Sequence, residues 1–332
     1  MRDQRIDFMK GMLMLCVIYG HTINSLLCGI QHSPIWLHTF ARTFDMPFFM
    51  ILSGYFLKKS LLKRSAWKVT INRISMIFVP IVIWTMLCGH INVFIGMYYF
   101  LWAILAAGMI CIVGFQLKCW LPSNIGQMVA IMFYVSIVIV LHLVKVPWNL
   151  FYLFPFFVVG YYVPDVNFRM SRLWLGSNML LFVVCLCFWS GRYTPWYIGA
   201  LAWREDLTVL CIYVYRFALG LIGVLVMMRL FDVLRNLLSR ESYVVKVVTE
   251  AGQETLALYV LQLIFVENII RRICGFIYSQ YHIIIFPSGI NLVGYVIAPL
   301  LSFFCMVLFL RIVQKMKSNW LFKYMFGFKI FK

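Results

Sequence analysis

Ten stretches of this 332-residue sequence are apolar and long enough to reach across or nearly across the ~30 Å hydrocarbon layer of a bilayer, and that decides what the chain can fold into. They fall at about 8–28, 36–57, 74–95, 97–117, 125–143, 149–164, 174–190, 207–231, 255–270 and 283–311, the sixth and ninth being short. No segment between them exceeds roughly 25 residues, which leaves no room for a soluble catalytic domain. With 64% hydrophobic and only 12% charged residues, the chain has too little polar surface for a soluble domain of its size. The expected fold class is all-α, a polytopic integral membrane helix bundle of about ten transmembrane helices. The first apolar run is too long for a signal-peptide core and no small-x-small cleavage site follows it, so it is expected to stay as an anchor.

A net charge of +18 would suggest nucleic acid in a soluble protein, but its distribution points elsewhere. Ten spans put both termini on one side. With that side cytoplasmic, 21 of the 29 Lys and Arg residues fall in inner segments and five in outer loops, while Lys10, Arg42 and Arg216 lie within spans. The positive-inside rule therefore places both termini in the cytoplasm, and the basic excess sets topology rather than binding nucleic acid. Residues 1–312 read as a single transmembrane domain. Residues 313–332 read as a basic amphipathic tail on the inner leaflet, with Trp320, Phe322, Tyr324 and Phe328 among its lysines.

The first span carries Asp7, Lys10 and His21 in an otherwise greasy helix. At about 100° per residue, His21 returns to within about 20° of Lys10, and Asp7 falls about 40° to the other side. Ionisable groups along one stripe of a span are costly and point to function. His21 lies roughly 21 Å in from the cytoplasmic edge at ~1.5 Å per residue, in the outer half of the bilayer. Arg42 and Asp45, at i and i+3 on the descending second span, lie at a similar depth. Arg216 in the eighth span, and Gln262 and Glu267 in the ninth, fall in the central-to-outer zone, and Lys10 sits near the inner mouth. Together they imply a polar cavity reaching from the cytoplasmic face towards the outer half. Taken singly, each has a plainer reading: Lys10 snorkels, His21 packs between helices, and Arg42 with Asp45 forms a neutralised structural pair.

The ten cysteines mostly sit inside apolar runs, with no C-x-x-C pair and no His/Cys cluster at metal spacing, so they read as small hydrophobes and no metal is expected. Neither phosphate-binding glycine motif nor a G-x-S-x-G elbow occurs. Trp196, Tyr197 and Trp203, in an outer loop, suit sugar stacking or an interfacial belt equally.

Several segments in order resemble a known family. Arg5-Ile-Asp7-Phe-Met-Lys10-Gly11, followed by Gly20-His21, resembles the opening helix of the acyltransferase-3 membrane proteins. Met46-Pro-Phe-Phe-Met-Ile-Leu-Ser53-Gly54-Tyr-Phe-Leu resembles their second span. Tyr99-Phe-Leu-Trp102, Pro155-Phe-Phe-Val-Val-Gly160-Tyr and Thr255-Leu-Ala-Leu-Tyr259-Val-Leu-Gln262 resemble later segments of the family. The sequence departs from the family at Met76, where a second basic residue usually follows Arg73. It departs again at Asp45, often His in relatives, and at Gln262, where the late His stands. The nearest subgroup includes fucose-4-O-acetylase-like and other surface-glycan acetyltransferases.

The resemblance implies a bacterial inner-membrane O-acyltransferase that moves an acyl group, usually acetyl, from cytoplasmic acyl-CoA to a hydroxyl of a surface glycan or its lipid-linked precursor. Acetyl-CoA is then a donor substrate, and no permanently bound cofactor is implied. A sugar hydroxyl is a weak nucleophile, so a positioned imidazole must take its proton, and His21 is the candidate. Asp45 is the candidate to orient it, on depth alone. Lys10 and Arg73 suit CoA phosphates or the thioester carbonyl. Asp7, Arg42, Asn24, Arg216, Gln262 and Glu267 complete the candidate donor- or substrate-binding set. The loop Lys58-Lys-Ser-Leu-Leu-Lys-Arg64 is placed to meet the 3′-phosphate, although a stop-transfer charge cluster is the plainer reading. Expected partners are acyl-CoA, the glycan acceptor, the bilayer, and either a second copy of the chain or glycan-assembly proteins. Two other readings stay open from sequence: a glycolipid transporter or flippase, and an inactive structural partner in glycan assembly. The polytopic acyltransferases whose key His lies late in the chain are a poor match, since the late His here, His282, falls near an outer boundary.

Overall fold

A computed structural model describes residues 3–27, 35–87, 99–143, 149–163, 172–189, 207–239, 241–281 and 287–317, with 319, 322, 325 and 326 from the tail. His282, Trp196, Tyr197, Trp203 and most of the tail lie outside the described residues. Among the described residues there are helices and no strand. Among the described residues six helices are long and apolar enough to cross a membrane: Gln4–Leu26, Ala66–Leu87, Tyr99–Trp120, Ser123–His142, Cys211–Leu237 and Gly289–Met316. These answer to the first, third, fourth, fifth, eighth and tenth apolar runs. The second run forms a 26-residue helix, Trp36–Leu61, and the sixth and seventh form shorter apolar helices, Leu150–Tyr162 and Trp174–Cys187. The protein is a multi-pass membrane protein. Apolar side chains such as Ile125, Met128, Met132, Val135 and Ile139 lie exposed along one helix, as lipid contact requires.

The chain forms two compact units. The first comprises residues 1–45, 168–191 and 222–322. Its axis is α1 (Gln4–Leu26), capped by Asp3, whose side chain accepts from the Arg5 amide. Around α1 lie α10 (Tyr243–Gln253), α11 (Thr255–Gln262) and α14 (Ala298–Met316). Two glycines set the closest crossing. A Cβ on Gly11 would overlap the Val248 carbonyl, and one on Gly252 would overlap the Asp7 carbonyl. Small residues let helix backbones touch where lipid gives no hydrophobic drive to associate. Elsewhere in the unit Phe40, Phe44, Phe182 and Phe231 pack edge to face, with Gly223 beneath Phe44 and Phe182.

The second unit comprises residues 46–167, 192–221 and 323–332. It uses the same device. A Cβ on Gly54, in the second half of α2 (Trp36–Leu61), would overlap the Phe157 carbonyl of α7 (Leu150–Tyr162). A Cβ on Gly160 would overlap the Ile51 carbonyl in return. Pro47 and Pro155 lie inside these two helices, which membrane helices tolerate because neighbours satisfy the freed carbonyls. Helices α5 (Tyr99–Trp120) and α6 (Ser123–Leu143) form a hairpin in which Tyr134 lies on Gly114 and donates its hydroxyl to the Cys111 carbonyl at 3.2 Å. Trp84 of α4 (Val79–Leu87) donates to the Met325 carbonyl at 2.7 Å and packs on Phe326.

Three helices widen into π-helical stretches: Ile74–Phe78 after α3 (Ala66–Arg73), Leu263–Ile270 after α11, and Val293–Ile297 before α14. Such stretches are rare, strained and frequent at functional sites. The first begins immediately after Arg73 and the second carries Glu267, so each adjoins a candidate residue.

Candidate functional site

The first unit holds a buried histidine–carboxylate pair. His21, on α1, is bonded through Nδ1 to Oε1 of Glu267, on the π-helical stretch that follows α11. Both side chains are largely buried, at 12% and 20% exposure. An imidazole that gives its Nδ1 proton to a carboxylate carries its lone pair on Nε2, so that nitrogen is the available base. The carboxylate also stabilises the imidazolium that forms when Nε2 takes a proton.

Two arginines flank the pair. Arg42, on α2, lies across Gly20, where an added Cβ would stand 3.4 Å from its Nε. That Nε donates to Nε2 of His38, one turn earlier on the same helix, at 3.3 Å. The fields of Arg42 and Arg271 both reach Glu267. His38 also meets the Tyr19 ring edge to face, and Tyr19 donates its hydroxyl to the Gly294 carbonyl at 3.0 Å. The result is a compact set of two imidazoles, one carboxylate and two guanidiniums. Beside it in sequence, Gln262 is fully buried with neither its amide nitrogen nor its oxygen partnered among the described residues. Thr22, next to His21, is fully buried with a hydroxyl unpartnered among the described residues. Buried polar atoms without partners call for an explanation, and a polar ligand supplies one.

The other candidates are distributed as follows. Asp45 is buried in the first unit, and its field acts on Cys16 of α1. Asp7 is buried and lies 3.9 Å from Lys10. Asn24 is exposed near the end of α1. Arg73 belongs to the second unit. It donates from Nη2 to the Ser53 carbonyl at 3.2 Å, lies 5.6 Å from the Phe157 ring centre and fills the space over Gly108. Its Nη1 is buried without a partner among the described residues. Arg216, also in the second unit, is fully buried 5.6 Å from the Tyr152 ring. The carboxylate on His21 is thus Glu267, a residue the sequence grouped with substrate binding, whereas Asp45 stood in that place on depth alone. Depth along a helix does not fix which way a residue on another helix turns, and the π-helical register of residues 263–270 shifts that direction further. His38 and Arg271 were missed. The i, i+4 spacing of His38 and Arg42 was the available signal.

A buried histidine–carboxylate pair with flanking cations in a helical membrane bundle is an arrangement able to carry general base catalysis of group transfer or hydrolysis. The chain belongs to the acyltransferase-3 family, described as an acyltransferase domain, which it matches over residues 3–311. It is 26% identical over 294 residues to Nodulation protein NolL of Sinorhizobium fredii, covering 79% of this chain and 77% of that protein. It is 25% identical over 211 residues to Nodulation protein NolL of Mesorhizobium japonicum, covering 56% of this chain and 54% of that one. No solved structure matches the chain.

Proposed function

We propose that this protein is an O-acetyltransferase that moves acetyl from acetyl-CoA to a hydroxyl of a surface glycan or its lipid-linked precursor. The reading rests chiefly on the His21–Glu267 pair. The family supports acyl transfer, and the curated relatives are named for nodulation. In this reading the chain crosses a bacterial inner membrane about ten times with both termini cytoplasmic. Residues 1–312 form the catalytic domain and 313–332 an interfacial tail.

The reaction is direct transfer. The acceptor hydroxyl gives its proton to Nε2 of His21 as its oxygen attacks the thioester carbonyl. The tetrahedral oxyanion forms beside Arg42, collapses, and expels the CoA thiolate, which takes the proton back from the imidazolium. An O-acetyl ester and free CoA leave. Glu267 holds the ring and balances its transient charge. The buried polar atoms of Gln262 and Thr22, unpartnered among the described residues, suit acceptor hydroxyls. Lys10 and Arg73 provide cations for the donor. Asp45, Asp7, Asn24 and Arg216 complete the binding set in this reading.

The test is mass spectrometry of surface glycans from a strain expressing His21→Ala beside the parent. Loss of the acetyl increment, with the variant still inserted in the membrane, is expected. Normal acetylation in that strain would sink the mechanism.

A further inference from the structure

The second unit contains a cavity of about 270 Å³ that the acid–base chemistry does not use. Lys58, Leu62, Phe115, Lys118, Gln127, Tyr161 and Tyr162 line it. It receives two ammonium groups, one amide, two phenols and an aromatic wall, and no carboxylate lines it. Lys58 and Lys118 are half-buried, and neither has an ion-pair partner among the described residues. Lining residues come from the end of α2, the end of α5, the start of α6 and the end of α7. The charge count along the sequence independently assigns all four of those helix ends to the cytoplasmic side.

Arg73 lies further in along the same helices. Its contacts Ser53, Phe157 and Gly108 precede Lys58, Tyr161 and Lys118 by five, four and ten residues, or ~6–15 Å at ~1.5 Å per residue. Its Nη1 has no partner among the described residues. A buried guanidinium with a donor unpartnered among the described residues, further in than two ammonium groups, calls for an anion that the unit's described helices do not supply.

We propose that this cavity is the phosphate-binding mouth of the donor site. It takes the adenosine bisphosphate end of CoA, with phosphates on Lys58 and Lys118 and the adenine against Tyr161, Tyr162 and Phe115. The inference rests on the acetyl-CoA reading above. The volume falls just short of the ~300–1,000 Å³ of sites that enclose a whole small molecule, which suits holding one end of a longer one. The aromatic wall favours a nucleotide over a lipid headgroup, which presents phosphate without a ring.

The test uses the full chain in nanodiscs with adenosine 3′,5′-bisphosphate as the probe, measured by calorimetry. The double variant Lys58→Gln/Lys118→Gln is expected to weaken binding at least about tenfold, as loss of hydrogen bonds to a charged group does. Lys68→Gln removes the same charge from an exposed position that does not line the cavity, and is expected to leave binding unchanged. In acetyl transfer, the double variant is expected to raise KM for acetyl-CoA and to leave KM for acetyl-pantetheine, which lacks the nucleotide, where it was. Equal nucleotide binding by wild type and double variant overturns the proposal. So does retention of phosphatidylglycerol that the double variant loses while nucleotide binding stays constant. If the protein transfers no acetyl group at all, the binding arm still decides whether the cavity takes the nucleotide, so failure of the transferase reading is told apart from failure of this one.

Discussion

The two units treat charge in opposite ways. In the first, ionisable groups come in pairs of opposite sign: His21 with Glu267, Lys10 with Asp7, Arg229 with Asp232 at 3.0 Å, and Lys317 with Glu254 at 2.5 Å. In the second, cations meet carbonyls and rings: Arg73 the Ser53 carbonyl and Phe157, Arg216 the Tyr152 ring, and Lys59 the Tyr55 ring at 4.5 Å. The cause is in the sequence. Of eleven acidic residues only Asp165, Glu205 and Asp206 belong to the second unit, and none of the three is in a described helix. Where carboxylates are present, buried groups can exchange protons. Where they are absent, a buried guanidinium, too basic to lose its proton, is left to attract an anion from outside. Under the proposed function, the pair in the first unit suits proton transfer and the cations of the second suit holding negative charge.

This division is open to direct attack by substitution. Changes at the His21–Glu267 pair should lower kcat, and changes at Arg73 or the cavity lysines should raise KM for the donor. His21→Ala should cost ~10²–10⁴-fold in acetyl transfer, the usual contribution of a positioned base. Glu267→Gln keeps the shape but removes the charge that holds and balances the imidazole. It should lower kcat by ~10–100-fold with KM for acetyl-CoA little changed, in steady-state assays on purified protein. A KM effect of that size with normal kcat would move Glu267 out of the proton-transfer role. Arg73→Gln should do the reverse, raising KM for acetyl-CoA ~10-fold while kcat holds, because it removes a charge-assisted donor. The smallest effects are structural. Gly11→Leu and Gly54→Leu should each lower thermal stability by about 1–3 kcal/mol, since each forces apart two backbones in contact. Gly176→Leu, with open space around it, should leave the melting temperature alone.

Much of this arrangement can be read from the sequence, because membrane helices announce themselves. Long apolar runs became helices, and residues carried on one helix kept the relation that 3.6-residue periodicity gives them, as Asp7 and Lys10 show. Partners on different helices were not legible. His21 and Glu267 meet because α1 and the stretch after α11 pack together, and no pattern in either segment records that packing. The π-helical stretch at 263–270 also defeats periodicity, since it breaks the ~100° step by which azimuth is counted. Arg73 was legible as a cation near the inner mouth, but not its setting over Gly108 and Phe157, which depends on α5 and α7. The cavity beside Lys58 was hidden for another reason. Its lining is gathered from four helix ends, and a lysine there looks the same whether it sets topology or binds a phosphate.

The pairing of His21 with Glu267 also has a consequence in time. The two residues are 246 positions apart, and Tyr19 waits 275 positions for the Gly294 carbonyl. At ~5–20 residues per second of synthesis, the first helix spends roughly 10–50 s with an imidazole that has no Glu267 to meet. It is also the least hydrophobic of the six long helices, so it enters the membrane on the thinnest margin. During that interval its polar stripe must be sheltered by water, lipid headgroups or the insertion machinery. His21 is therefore among the first residues made and among the last to meet its partner.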